Sequence, residues 1–126
     1  MESDDRKFIL IIDDEEDIRS MLESFFETLG YRTAAAADLN QTVFLFNREK
    51  PDIVFLDIVL PGVNGIEILK MLKKIQPELI VVMMSGFATE PKARAALDLG
   101  AYDYLKKPFD MNHVKEMLDR IDMLLL

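Results

Sequence analysis

The side chains with the most chemistry to offer sit where apolar runs end. Asp13 and Asp14 follow residues 8–12 (FILII), Asp57 follows 53–56 (IVFL), Ser85 follows 79–84 (LIVVMM), and Lys107 and Pro108 come shortly after Tyr104. Three ionised carboxylates in one crevice raise each other's pKa values unless a cation compensates them. An oxygen-only cluster with room for waters suits Mg²⁺. A carboxylate can attack phosphorus to give an aspartyl phosphate, and a divalent cation lowers the repulsion between that nucleophile and its anionic donor. An ammonium such as Lys107 would hold one phosphoryl oxygen as a point charge, and the Ser85 hydroxyl could donate to another. If the fold brings these groups together, they form a metal-dependent, phosphoryl-accepting site.

The elements that must do so are legible from periodicity. Short runs rich in Ile, Val and Leu, each followed by a helix-like segment, read as buried parallel strands. Five such alternations give an α/β fold: a doubly wound, five-stranded parallel sheet in the order 2-1-3-4-5, with helices on both faces. Strands one and three would then be neighbours ~5 Å apart, and such sheets bind ligands at the carboxyl ends of their strands.

The first helix follows Asp14, turns Ile18, Met21, Leu22, Phe25 and Leu29 inward, and stops at Gly30, a left-handed cap. The second strand covers residues 31–35. Asp38 caps a second helix with Leu39, Val43 and Phe46 inward and with Phe44 and Leu45 broadening that face. The turn Pro61-Gly62-Val63-Asn64-Gly65 opens a third helix reaching about Lys74. Thr89 can cap a fourth, with Pro91 in its first turn, Gly100 past its end and mostly alanines inward, so it is lightly anchored. A short strand over 102–105 precedes a fifth helix with Met111, Val114, Met117, Leu118, Ile121 and Leu125 on one stripe.

Bulk properties exclude several classes. A chain of 126 residues, 50% hydrophobic, fits one domain over 1–126 with its core at about 8–125. A net charge of −8 without clustered Lys and Arg argues against direct nucleic-acid binding and suits divalent cations and basic partners. Without cysteine there are no disulfides or thiolate metal sites. No apolar stretch approaches the roughly 20 residues that cross a bilayer, so no membrane role is expected and the cytoplasm is the default location. The uncapped Leu124-Leu125-Leu126 end suggests a chain cut from a longer protein or an end that packs on a partner, with simple fraying of the terminal leucines as the plain alternative. His113 has no partner histidine or cysteine and reads as a surface residue; the eight methionines read as flexible core filler.

Each landmark also has a plain structural explanation. The run Asp13-Asp14-Glu15-Glu16 could simply complement a helix dipole, and Asp57, Ser85 and Lys107 could be a turn former, a loop hydroxyl and a solvated lysine. Four landmarks in one phase of the βα repeat make that coincidence a poor account. Strand alternation lets only one of Lys106 and Lys107 face the site, and composition does not choose between them.

From about residue 8 to 125 the chain resembles the receiver domain of two-component response regulators, a CheY-like variant of the flavodoxin-like fold. The resemblance rests on Asp13-Asp14, Asp57, Ser85, Tyr104, Lys107-Pro108 and the Pro61 to Gly65 turn. It implies that Asp57 accepts a phosphoryl group from a histidine kinase or phosphotransfer protein. It also implies that Mg²⁺ is held by Asp14 directly, Asp13 mostly through water, Asp57, and the backbone carbonyl of Val59. The proline-adjacent lysine, Lys107, would be the site cation, with a cis bond to Pro108. Ser85 and Tyr104 would carry the switch, and a downstream effector domain or protein would read it. The family's usual output face, made by the fourth helix, fifth strand and fifth helix, is also a candidate dimer surface. By the same resemblance Val59 and Phe87, two residues past Asp57 and Ser85, would occupy positions that vary in the family and tune phosphoryl lifetime; both are apolar, so slow self-hydrolysis is expected. The chain would act only on its own phosphorylation and would not be an enzyme toward other substrates.

Three other readings fit less well. A haloacid-dehalogenase-like phosphatase needs a second aspartate two residues after its nucleophile, where Val59 and Glu15 stand here. A flavodoxin-like electron carrier needs a Ser, Thr and Gly phosphate loop, whereas this loop is Asp-Asp-Glu-Glu. A docking module with a degenerate site would not be expected to keep every required residue.

Overall fold

The computed structural model describes residues 5–126. Five strands, β1 (Phe8–Ile12), β2 (Arg32–Ala36), β3 (Ile53–Asp57), β6 (Ile80–Ser85) and β7 (Asp103–Lys106), form one sheet. Its order is β2-β1-β3-β6-β7, every pairing parallel. This is the 2-1-3-4-5 arrangement expected from the sequence. Between β3 and β6 a two-residue pair, β4 (Val59–Leu60) and β5 (Val63–Asn64), closes an antiparallel hairpin that the apolar pattern did not foretell.

Five helices, α1 (Glu16–Thr28), α2 (Leu39–Arg48), α3 (Gly65–Ile75), α4 (Glu90–Leu97) and α5 (Met111–Leu124), cover both faces. The sheet has two apolar sides because alternate residues of the same strands feed separate cores. Leu10, Ile12, Val54, Leu56, Val81 and Met83 pack under α2, α3 and α4, whereas Ile9, Ile11, Ile53, Phe55, Val82 and Met84 pack under α1 and α5. Burial on both faces explains why the strands read as continuous apolar runs and not as alternations.

Helix starts follow side-chain chemistry. Asp38 accepts from the Gln41 amide (2.8 Å), while the Gln41 side chain accepts from the Ala37 amide (2.7 Å). Asn64 caps α3 through the Ile66 amide (2.9 Å), and Asp110 caps α5 through the Asn112 amide (3.0 Å). Such caps satisfy amides that the first helical turn leaves without partners.

Several expectations needed correction. The second, fourth and fifth strands of the main sheet each begin one residue later than read and run one residue further. In α1 the deeply buried residues are Leu22 and Phe26, while Met21 faces out; Phe26 packs against Phe55 with ring centroids 4.8 Å apart and the rings tilted by 43°. In α2 the inward residues are Thr42 and Phe46, and Val43 and Phe44 are exposed. Thr42 can go inward because its hydroxyl donates to the Asp38 carbonyl (2.8 Å), so an apolar count misplaced the stripe. Thr89 occupies the position before α4 but makes no side-chain cap. The stripe of α5, by contrast, buries Val114, Met117, Leu118 and Ile121 as expected, and Gly30 and Gly100 adopt φ of 94° and 103° after α1 and α4.

One backbone approach matters for the site. The Gly65 amide donates to the Ile58 carbonyl (2.8 Å), and a Cβ at Gly65 would collide with the Asp57 carbonyl oxygen and the Ile58 Cα. Gly65→Ala should therefore destabilise the domain by about 1–3 kcal/mol, the usual scale of overpacking, and shift the segment after β3. Urea unfolding checks this; an unchanged midpoint would show that the segment yields freely.

Candidate phosphoacceptor and metal site

Strand register assembles the site. Ile12 pairs with Leu56, and Asp57 pairs with Met84, so Asp13, Asp57 and Ser85 emerge side by side at the carboxyl ends of β1, β3 and β6. Lys107 follows β7, where its amide donates to the Ser85 carbonyl (2.8 Å), and the Lys107–Pro108 bond is cis. All four landmarks meet at one sheet edge.

At the centre is one ammonium. Lys107 Nζ donates to Asp13 Oδ2 (2.7 Å) and Asp57 Oδ2 (2.8 Å), and lies 3.5 Å from Glu15 Oε1. Lys106 points away and pairs with Glu90 (3.0 Å), which resolves the ambiguity between the two lysines. Asp13 is fully buried and Asp57 is 5% exposed, so both carboxylates depend on fixed partners for the solvation they have lost. Asp13 Oδ1 accepts from the Glu15 amide (2.9 Å), and Asp57 Oδ1 accepts from the Val59 amide (3.0 Å). Arg19 of α1 donates to the Asp13 carbonyl (2.9 Å) and pins the loop from the other side.

The electrostatics follow from this packing. Burial pushes the Asp13 carboxyl above its usual range; the Lys107 hydrogen bond pulls the other way, and the neighbouring Asp57 charge adds to the rise. Burial alone would lower the Lys107 ammonium, but hydrogen bonds to Asp13 and Asp57 and their charges hold it above the ordinary lysine range.

Carboxylate oxygens of Asp13, Asp14, Glu15 and Asp57 lie within 4.8 Å of one another, two buried and two exposed. An all-oxygen donor set open on one side fits a hard divalent cation that keeps several waters. An open hollow of about 410 Å³ lies beside it, bordered by Asp14, Glu15, Asp57, Val59, Thr89 and Lys107. Ser85 is fully buried at the rear, its Oγ 2.8 Å from the Gly86 carbonyl and 2.7 Å from Thr89 Oγ1. Tyr104 is half-buried against the α4 side of the core, with its hydroxyl 3.3 Å from Glu90. Sequence reading gave Glu15 no place at the site, took Thr89 only as a helix cap and Gly65 only as part of a turn. The acidic run signalled Glu15 and the turn motif signalled Gly65, whereas nothing local marks the Thr89 contact with Ser85.

A sequence profile of the response regulator receiver domain matches residues 9–119. The chain belongs to the response regulator receiver family. Its relatives include sporulation initiation phosphotransferase F of Bacillus subtilis, 36% identical over 112 residues, covering 89% of this chain and 90% of that protein. Another is the nitrogen assimilation regulatory protein NtrX of Azorhizobium caulinodans, 37% identical across 89% of this chain but only 25% of the relative's length. Among solved structures, the receiver domain of NtrX from Brucella abortus is 37% identical and superposes with a TM-score of 0.85, covering 90% of this chain and 96% of that one. A receiver domain from Clostridium thermocellum reaches 0.87 at 27% identity, covering 95% and 99%. The protein is thus a receiver domain of two-component signalling, in a family where phosphorylation on aspartate is general. No helix among the described residues is long and apolar enough to cross a membrane.

Removing the shared ammonium should expose its electrostatic role. Lys107→Met is expected to cost about 2–4 kcal/mol at neutral pH in metal-free buffer, because it leaves buried carboxylates unpaired. Asp13 already titrates above its unfolded value, so it favours the folded state fully below about pH 4 and progressively less as pH rises through its folded value. The variant raises that value further. The stability gap from the parent should therefore open above about pH 4 and close below it, which urea unfolding across pH would reveal; a pH-independent gap would contradict the assignment.

Proposed function

We propose that Asp57 is the phosphoacceptor of a phosphorelay, receiving its phosphoryl group from a histidine kinase or phosphotransfer protein. The observation that carries this reading is the buried Asp57 carboxylate, fixed by Lys107 and the Val59 amide at the edge of an acidic cluster with an open hollow beside it. Asp57 Oδ attacks phosphorus, the O–P bond forms, and the donor's N–P bond breaks, its electron pair leaving on the imidazole nitrogen. Bound Mg²⁺, held by Asp13, Asp14, Asp57 and the Val59 carbonyl, would supply positive charge that reduces repulsion between nucleophile and donor. Lys107 moves from the carboxylates to a phosphoryl oxygen, because the modified Asp57 carries its charge on the phosphoryl oxygens. Ser85 turns to donate to another phosphoryl oxygen, and Tyr104 packs into the space it leaves. This is a population shift between two arrangements of β6, β7 and α4.

The chain acts on its own Asp57 and turns over no external phosphomonoester; Val59 stands where a phosphatase of the alternative class needs a second aspartate. The signal passes to a downstream effector domain or protein, and a cytoplasmic location suits exchange with such a kinase. The face made by α4, β7 and α5 is the surface we assign to output or dimerisation.

Incubation with acetyl phosphate and Mg²⁺ should add one phosphoryl group by intact mass, lost with Asp57→Asn or with chelator. A phosphorylated Asp57→Asn protein would refute the assignment of the acceptor. Val59 and Phe87 are 59% and 87% exposed and present no polar group to orient an attacking water. The phosphoryl group should accordingly outlast seconds, and loss within seconds would contradict that role.

A further inference from the structure

The two side chains assigned to the switch are both held by consecutive residues at the start of α4. We propose that Thr89 and Glu90 form a resting-state latch, Thr89 holding Ser85 and Glu90 holding Tyr104, so that α4 must release both before the signal passes. This inference rests on the reading of Ser85 and Tyr104 given above.

Proton counting at Ser85 supports the Thr89 half. A serine hydroxyl has one hydrogen to donate. Here Ser85 Oγ lies 2.8 Å from the Gly86 carbonyl and 2.7 Å from Thr89 Oγ1, which itself lies 3.3 Å from the same carbonyl. Whichever hydroxyl donates to the other, the Ser85 hydrogen is engaged inside the loop and must leave it to reach a phosphoryl oxygen. Thr89 is free for this work because it makes no helix cap.

The Glu90 half uses the lysine left over from the motif. Glu90 Oε1 accepts from Tyr104 (3.3 Å) and Arg94 (3.1 Å), and Oε2 pairs with Lys106 (3.0 Å). Adjacent lysines at the end of β7 thereby serve different groups: Lys107 the acidic site, Lys106 the latch. Lys106 and Arg94 hold the Glu90 carboxyl below its usual range, so it remains ionised at neutral pH. Beneath these polar contacts α4 buries only Ala93 and Ala96, so two or three hydrogen bonds are a large part of what fixes its first turn.

The test follows the Ser85 and Tyr104 amide resonances of ¹⁵N-labelled protein with Mg²⁺, before and after addition of beryllofluoride as a stand-in for the phosphoryl group. Without beryllofluoride, Thr89→Val and Glu90→Ala should each place these resonances part-way along the line joining the two parent spectra. Each should also lower the half-saturating beryllofluoride concentration about three- to tenfold, the scale of one hydrogen bond lost from the resting state alone. Thr89→Ser, which keeps the hydroxyl, should overlay the parent. Variant resonances that stay at parental positions with unchanged half-saturation would overturn the latch while leaving the switch intact. If beryllofluoride binds the parent and moves neither resonance, the switch reading itself fails and the latch falls with it.

Discussion

One ammonium shared by two buried carboxylates is the constraint around which this domain is arranged. Asp13 and Asp57 are taken out of water at the ends of neighbouring strands, and without Lys107 between them their charges would oppose folding. The register of β1 on β3 sets the two acids side by side, and the Lys107 amide bonded to the Ser85 carbonyl holds the end of β7 against β6 so that the Lys107 side chain reaches both. The same arrangement gathers a buried carboxylate, an ammonium and further carboxylates that could hold a cation in one place. A cluster dispersed on the surface would be easier to fold and would organise nothing.

The rest of the fold is anchored by deep apolar burial below this edge and more lightly beside it. Apolar residues on both faces of every central strand, with Phe26 packed against Phe55 and four buried residues of α5, anchor the half that carries the acids. On the opposite face α4 contributes two alanines and relies on polar contacts from Thr89 and Glu90 at its start. A helix held mainly by hydrogen bonds can change position when those bonds change partners, whereas one held by large apolar side chains cannot do so without opening cavities. The difference in anchoring leaves the lightly held helix beside Ser85 and Tyr104.

Much of this was legible in the residue pattern, and its failures are physically instructive. Continuous apolar runs identified the central strands because both faces are covered, and Asp38, Gly30, Pro91 and Gly100 marked helix boundaries through local chemistry that needs no tertiary context. Helix faces were read less well. Met21, Val43 and Phe44 were counted inward by hydropathy, yet Thr42 takes the inward place by satisfying its hydroxyl on the Asp38 carbonyl, and Phe26 takes it because it meets Phe55. A hydropathy count sees neither a satisfied hydroxyl nor a ring on another strand.

The sequence by itself determined the chemistry available: acids, a hydroxyl and an ammonium at the ends of buried runs, in one phase of a βα repeat, with a doubly wound sheet to position them. Those facts depend on residue type and on periodicity along the chain, which are local. The family resemblance already pointed to Lys107 over Lys106; only the tertiary structure decided that Glu15 also approaches the site, that a Cβ at Gly65 would meet the Asp57 backbone, and that Ser85 and Tyr104 contact Thr89 and Glu90. Each of these is a contact between groups whose mutual orientation is set by the sheet and the loops leaving it, and no spacing in the chain encodes it.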